Sequence, residues 1–349
     1  MKIEHTTSML STGENLYHFK LENKAGTTVK ITNVGATITS IRTADKNGEF
    51  EEITLGLETP EEYLSPEYIA NNPCLGGTPG RFANRIANGE FTLDGKTYKL
   101  AANNGKNHLH GGIINFSRKI WDAKIVGEGE NRKLQLSLKS PDMDEGYPGN
   151  LDVTITYNLT DDNELVISYY AETDEPTIVN LTNHTYFNLN GLKENILNHE
   201  VMINADNYTE SVENIPTGVI ASVKGTPFDF MTFRKIGERL NDLAEDAYDH
   251  NYVLNGNGSL ARAAVAKDTE SGRTLEVFTT SPGMQFYTAY YLDGAHGRGN
   301  KKYGRFDGFC FETQYFPDSP NKLNFPSPVV RPNESFRHTT VFKFNADKF

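Results

Sequence analysis

Short runs in which apolar and polar residues alternate recur from one end of this chain to the other, and that period of two commits it to strands. Residues 28–32, 133–138, 151–157, 164–169 and 341–344 all read this way, because successive side chains of a strand point to opposite faces. Turn signals separate such runs: Lys46-Asn47-Gly48, Leu93-Asp94-Gly95-Lys96 and Thr160-Asp161-Asp162-Asn163 suit hairpin connections. Helical spacing is confined to 233–247, where Ile236, Leu240, Leu243 and Ala247 share a face, and to a short piece at 60–68. Neither can organise a core. No linker, low-complexity tract or repeat divides the chain. The expected architecture is therefore all-β: one domain over residues 1–349, a large antiparallel β-sandwich with a few short helices and a concave face open to a ligand.

Composition narrows the ligand. A net charge of −12 and a pI near 5.3 oppose binding to nucleic acid or to an anionic membrane, so the ligand is expected to be a small molecule. No segment approaches the run of about 18 apolar residues that a spanning helix needs, and the first residues lack an apolar signal core. Cys74 and Cys310 stand far apart with neither disulfide nor metal spacing. Reduced thiols in a cytoplasmic protein fit this usage.

One stretch has an unusual polar face. Read as a strand, 180–191 places Asn180, Thr182, His184, Tyr186 and Asn188 on one side and Leu181, Phe187 and Leu189 on the other. Such a row of amide, hydroxyl, imidazole and phenol suits a polyhydroxylated ligand, although the solvated side of an amphipathic strand would look the same. A second stretch, 308–318, carries Glu312 on the face opposite Phe309 and Phe311, together with Cys310 and Gln314. Burial there would raise the carboxyl pKa and suit a general base, but single glutamates on strands are usually surface charges.

Further polar groups sit in glycine-rich or aromatic settings. In Asn107-His108-Leu109-His110-Gly111-Gly112 an extended backbone would put both imidazoles on one face, with the glycines allowing close approach. The carboxylate that a metal site of this spacing would want does not follow, so no metal is expected. The run 76–89 is no phosphate loop, since it lacks the Gly-Lys-Ser/Thr ending; Arg81 and Arg85 beside Asn84 could instead offer fork-like donors to hydroxyls. Asp249 and Gln285 each lie among aromatic residues. No Gly-x-Ser-x-Gly elbow and no dinucleotide fingerprint is present. A glycosidase pairing of Glu312 with Asp249 stays open from composition alone.

Taken together, 80–89 (GRFANRIANG), 108–112 (HLHGG), 144–151 (DEGYPGNL), 181–191 (LTNHTYFNLNG), 248–255 (YDHNYVLN), 282–288 (PGMQFYT) and 311–321 (FETQYFPDSPN) resemble the motif set of the aldose 1-epimerase, or galactose mutarotase, family, in order and in spacing. The likeness covers nearly the whole chain. It implies a galactose-mutarotase-like sandwich, a monomer or homodimer, that interconverts the α and β anomers of free aldohexoses without a cofactor. Glu312 then matches the catalytic base and His184 the catalytic acid. His110 matches a histidine that contacts the sugar near its ring oxygen, while Asn84, Arg85, Tyr186, Asp249 and Gln285 match sugar-binding positions. That chemistry requires Glu312 ionised and His184 protonated in the resting enzyme, and predicts a bell-shaped pH profile. Ala289, Tyr290 and Met143 depart from the family's usual residues, and each is expected to alter pocket shape. Alternatives within the same fold are a hexose-phosphate mutarotase, for which a basic cluster is missing, and a non-catalytic sugar-binding protein, which would lack Glu312 or His184.

Overall fold

Alternation is realised as burial. In Leu151–Leu159 every second side chain is buried, and Glu164–Thr173 repeats the pattern beside it. The computed structural model describes residues 1–347, and its three largest sheets are antiparallel throughout. A five-stranded sheet holds the N-terminal residues from Lys2–Met9 to Phe50–Glu52, a nine-stranded sheet runs from Asp122–Val126 to Arg234–Lys235 at its edges, and a six-stranded sheet carries Phe309–Gln314 second from one edge.

The sheets stack through apolar faces. One buried cluster extends from Ile3 to Phe344 and draws on all three sheets. Phe187, on the six-stranded sheet, meets Phe342 of the nine-stranded sheet edge to face at 5.1 Å. The expected turns connect their strands, with Gly48 and Gly95 at positive φ as such turns require.

Two expectations need correction. The helical spacing at 233–247 yields a strand pair at Arg234–Lys235 and then tight helical turn over Ile236–Asp242, broken at Arg239. Gly237 and the short length leave too little to propagate an α-helix, yet Ile236, Leu240 and Leu243 still reach the core. The polar stretch 180–191 is not one strand: Tyr186–Phe187 forms a short strand and Asn180 an isolated bridge to Phe82. Asn183 Oδ1 accepts from both the amide and the hydroxyl of Thr185, a local bond that competes with a ladder. Nor is it a solvated face, since Asn180, Thr182 and Asn188 are all buried.

Candidate active site

Strand register assembles the site. Across the six-stranded sheet Tyr186, Cys310, Tyr287 and Asp249 form one row, with Glu312, Gln285 and Asn251 in the row beside it. Alternation directs these side chains away from Phe286, Phe309 and Phe311, which fill the core. Above them lies a cavity of about 570 Å³ whose walls include Asn84, Arg85, His110, His184, Tyr186, Asp249 and Glu312. Seven of the eight residues expected at the site therefore surround one space.

His184 reaches this space from irregular backbone. Its amide donates to Gly77 and its carbonyl accepts from Gly76, both at 2.9 Å. At Gly76 the φ is +71° and a Cβ would stand 1.9 Å from the Ile38 carbonyl oxygen, so no other residue fits. The imidazole stacks on Tyr186 (5.0 Å between centroids, 30°) and meets His110 edge-on. Its Nδ1 lies 3.5 Å from Cys310 Sγ, and its Nε2 faces Glu312 Oε2 at 3.6 Å. Both side chains are 5% exposed or less. Asn183 donates to the Gly76 carbonyl, and Asn188 ties down the 194 and 307 carbonyls.

Burial sets the protonation of the pair. It pushes the Glu312 carboxyl well above the usual carboxylate range, and the charge of Asp249 adds to the rise while Arg85 opposes it. It pulls His184 down to about 4. Burial thus disfavours charge on both partners and opposes the ionised pair expected from the sequence. The physical reason is the cost of charge in a dry site.

His110 is locked in one tautomer. A backbone amide can only donate, and that of Asn84 points at His110 Nδ1 from 3.1 Å, so Nδ1 is the acceptor and Nε2 carries the hydrogen. Burial, with His184 and Arg85 nearby, keeps the ring neutral. The ligand atoms of His110, His184 and Glu312 all lie within 4.8 Å of one another, a spacing open to a metal ion. In its present tautomer, however, His110 offers an N–H, which suits a sugar oxygen better.

The opposite wall is a charged clamp. Arg85 bonds Asn104 Oδ1 through Nε at 3.2 Å and Asp249 Oδ2 through a terminal nitrogen at 3.5 Å. Gln285 donates to Asp249 Oδ1 at 2.7 Å and does not line the cavity. It pairs across the strands with Glu312 and is bonded to Asp249. The Tyr186 hydroxyl donates to the Pro73 carbonyl at 2.7 Å, so Tyr186 meets the cavity chiefly as a ring.

The remaining motifs serve the frame. His108 Nδ1 bonds the Ala101 carbonyl and its Nε2 the Tyr147 hydroxyl, each at 2.7 Å. Gly111 and Gly112 admit Gly80 and Glu145 of the protein rather than a ligand. Arg81 is buried among carbonyls. Met143 is exposed and not part of the cavity wall, contrary to its expected effect on pocket shape. Sequence reasoning missed Asn104, although Asn103-Asn104-Gly105 is a turn signal, and it missed Tyr287, Tyr291 and Asn214 at the wall and mouth.

An antiparallel sandwich with a buried carboxyl–imidazole pair on the floor of a polar cavity defines a protein built for proton transfer to a small polar molecule. Comparison with known proteins narrows the class. Residues 17–343 match the family model described as aldose 1-epimerase. Cattle galactose mutarotase is 44% identical over 320 residues, which is 91% of each chain. The aldose 1-epimerase of Escherichia coli K12 is 37% identical, covering 99% of this chain and 100% of its own. The solved galactose 1-epimerase of Lactobacillus acidophilus superposes with a TM-score of 0.85 at 32% identity, over 99% of both chains. An aldose epimerase homologue from Caenorhabditis elegans gives 0.87 at 28%, over 98% and 99%. The chain belongs to the aldose 1-epimerase family.

Proposed function

We propose that this protein is a mutarotase, an isomerase that interconverts the α and β anomers of free aldohexoses such as galactose and glucose. The observation that carries this reading is the 3.6 Å approach of Glu312 to His184 on the cavity floor, in a chain 37–44% identical to enzymes of that name.

Glu312 takes the proton from the anomeric hydroxyl as the C1–O5 bond breaks, and His184 gives a proton to O5, leaving the open-chain aldehyde. Rotation about C1–C2 presents the other carbonyl face, and both transfers reverse on closure. The pair needs to hold one proton for this, on His184 when Glu312 accepts, and sugar hydroxyls donating to the carboxylate offset the cost of ionising it. His110, as a fixed N–H donor, steadies the oxygen beside it. Asn84, Arg85 and Asp249 bind the hydroxyls, with Gln285 supporting Asp249 and Tyr186 backing the His184 ring.

The core cluster spanning Ile3 to Phe344 supports reading 1–349 as one domain, and the two buried free thiols support a cytoplasmic setting. No described helix is long and apolar enough to cross a membrane. We read the working unit as a monomer or homodimer with no nucleic-acid partner.

Polarimetry on freshly dissolved α-glucose and α-galactose tests the reading. Glu312→Gln and His184→Asn should each slow the catalysed change by about 10²- to 10⁴-fold. Full activity in Glu312→Gln would refute it.

A further inference from the structure

His184 has two ring nitrogens, and the chemistry on the cavity floor uses only one. Nε2 faces Glu312 Oε2 across 3.6 Å, so it is the nitrogen that hands a proton to O5 and takes it back. A ring that gives up its Nε2 proton must keep the one on Nδ1, because a neutral imidazole carries a single N–H. Which nitrogen keeps it follows from what the other side of the ring meets.

That side meets sulfur. Among the described residues the hydrogen-bonding partner of Nδ1 is Cys310 Sγ, at 3.5 Å. The residue's own carbonyl also acts on the ring, although it already takes the Gly76 amide. Both groups can accept, and both favour a hydrogen on Nδ1. Cys310 is fully buried. Burial, and then the charge of Glu312, push its thiol well above the ordinary range, so the sulfur stays an uncharged S–H whose lone pairs are free to accept. Strand register fixes its place: Cys310 pairs with Tyr186 on one side and Tyr287 on the other, and the rings of those two tyrosines bound His184, one stacked at 5.0 Å and one edge-on at 6.2 Å. Cys310 does not line the cavity, so it acts on a bound sugar only through the imidazole.

We propose that Cys310 is a positioning residue for the acid: its sulfur accepts the Nδ1 hydrogen of His184, which holds the ring in its plane and leaves Nε2 as the nitrogen that exchanges a proton with O5. This rests on the mutarotase reading above and adds a residue to it. An uncharged acceptor has a second consequence. A carboxylate in that place would stabilise the imidazolium as an ion pair, whereas a thiol does not, so the protonated ring remains a strong acid toward O5.

Nitrogen NMR on histidine-labelled protein, with the His184 signals assigned by their loss in His184→Asn, and polarimetry on α-galactose test this in wild type, Cys310→Ala and Cys310→Ser. Wild type at neutral pH should show a protonated Nδ1 on His184. Cys310→Ala should move the ring toward a mixture of tautomers and lower kcat by about 3- to 10-fold, the scale of one hydrogen bond, with KM within twofold because the cavity wall is untouched. Cys310→Ser, whose hydroxyl also accepts, should keep Nδ1 protonated and hold kcat within about twofold of wild type. A bare Nδ1 in wild type overturns the proposal. So does Cys310→Ala with unchanged nitrogen signals, whatever its rate, or with changed signals and an unaltered kcat. A wild type that does not accelerate mutarotation would instead overturn the mutarotase reading, and the nitrogen signals would still decide the tautomer.

Discussion

Arg81 and Arg85 lie four residues apart and look alike in the sequence, yet the structure gives them opposite work, and replacing each with methionine separates the two. Arg81 is 1% exposed. It donates to the carbonyls of Ser140, Pro141 and Pro148 at 2.8–2.9 Å and to Ser140 Oγ at 3.0 Å. Methionine would fill the volume and take a charged donor from three carbonyls, of which that of Pro141 keeps the Asp144 amide. At about 1 kcal/mol each, the low end for such a group, the loss is about 3 kcal/mol. Unfolding entropy of roughly 2.1 cal/mol/K per residue over 349 residues is about 0.7 kcal/mol/K, so Tm should fall by about 4 °C. Arg85 instead faces the cavity, where it holds Asp249 and Asn104. Arg85→Met should lose the hydrogen bonds of a charged donor, about 1.5–3 kcal/mol, and lower kcat/KM on galactose by about 10- to 150-fold. Scanning calorimetry and polarimetry on both variants give the answer. Should Arg81→Met melt within a degree of wild type, or Arg85→Met bind and turn over galactose normally, the division of labour argued here is wrong.

Two further outcomes follow from the same contacts. The raised Glu312 and the lowered His184 mean that the pair holds one proton across a wide interval, so kcat/KM should form a broad plateau. Its acid limb should fall near pH 4, where His184 gains a second proton, and its alkaline limb well above the ordinary carboxylate range, where Glu312 gives up the first; a narrow bell centred between pH 5 and 6 would contradict this. His108→Leu leaves the Ala101 carbonyl and the Tyr147 hydroxyl without their shared partner and should cost about 1–3 kcal/mol by urea unfolding, with KM unchanged.

Much of this was legible in the sequence because strand chemistry is local. The alternation of 151–159 and the turn at Asn163 specify a hairpin without help from the rest of the chain, and the same alternation correctly set Glu312 against its phenylalanine neighbours. Where a side chain's task depends on what packs opposite, the sequence was silent. His108 and His110 differ only in the partners that other segments bring: Tyr147 fixes one in the frame and Asn84 turns the other to the cavity. Gln285 shares a row with Glu312, but its amide is engaged by Asp249, which a different strand supplies. That burial opposes charge on Glu312 and His184 was hidden for a related reason, since desolvation is a property of the closed site and of no residue in it.

The two members of that pair are carried by different layers. Glu312 rides on a strand inside the six-stranded sheet. The His184 backbone is tied to Gly76 and Gly77, and Gly76 in turn accepts from Ile38 of the five-stranded sheet. The 3.6 Å gap is therefore a gauge of how those layers sit on one another. A small slip between them, too slight to expose the core or register as unfolding, would widen it first. Proton exchange between imidazole and carboxyl thus reports loosened packing between those layers, and should sense it before melting does.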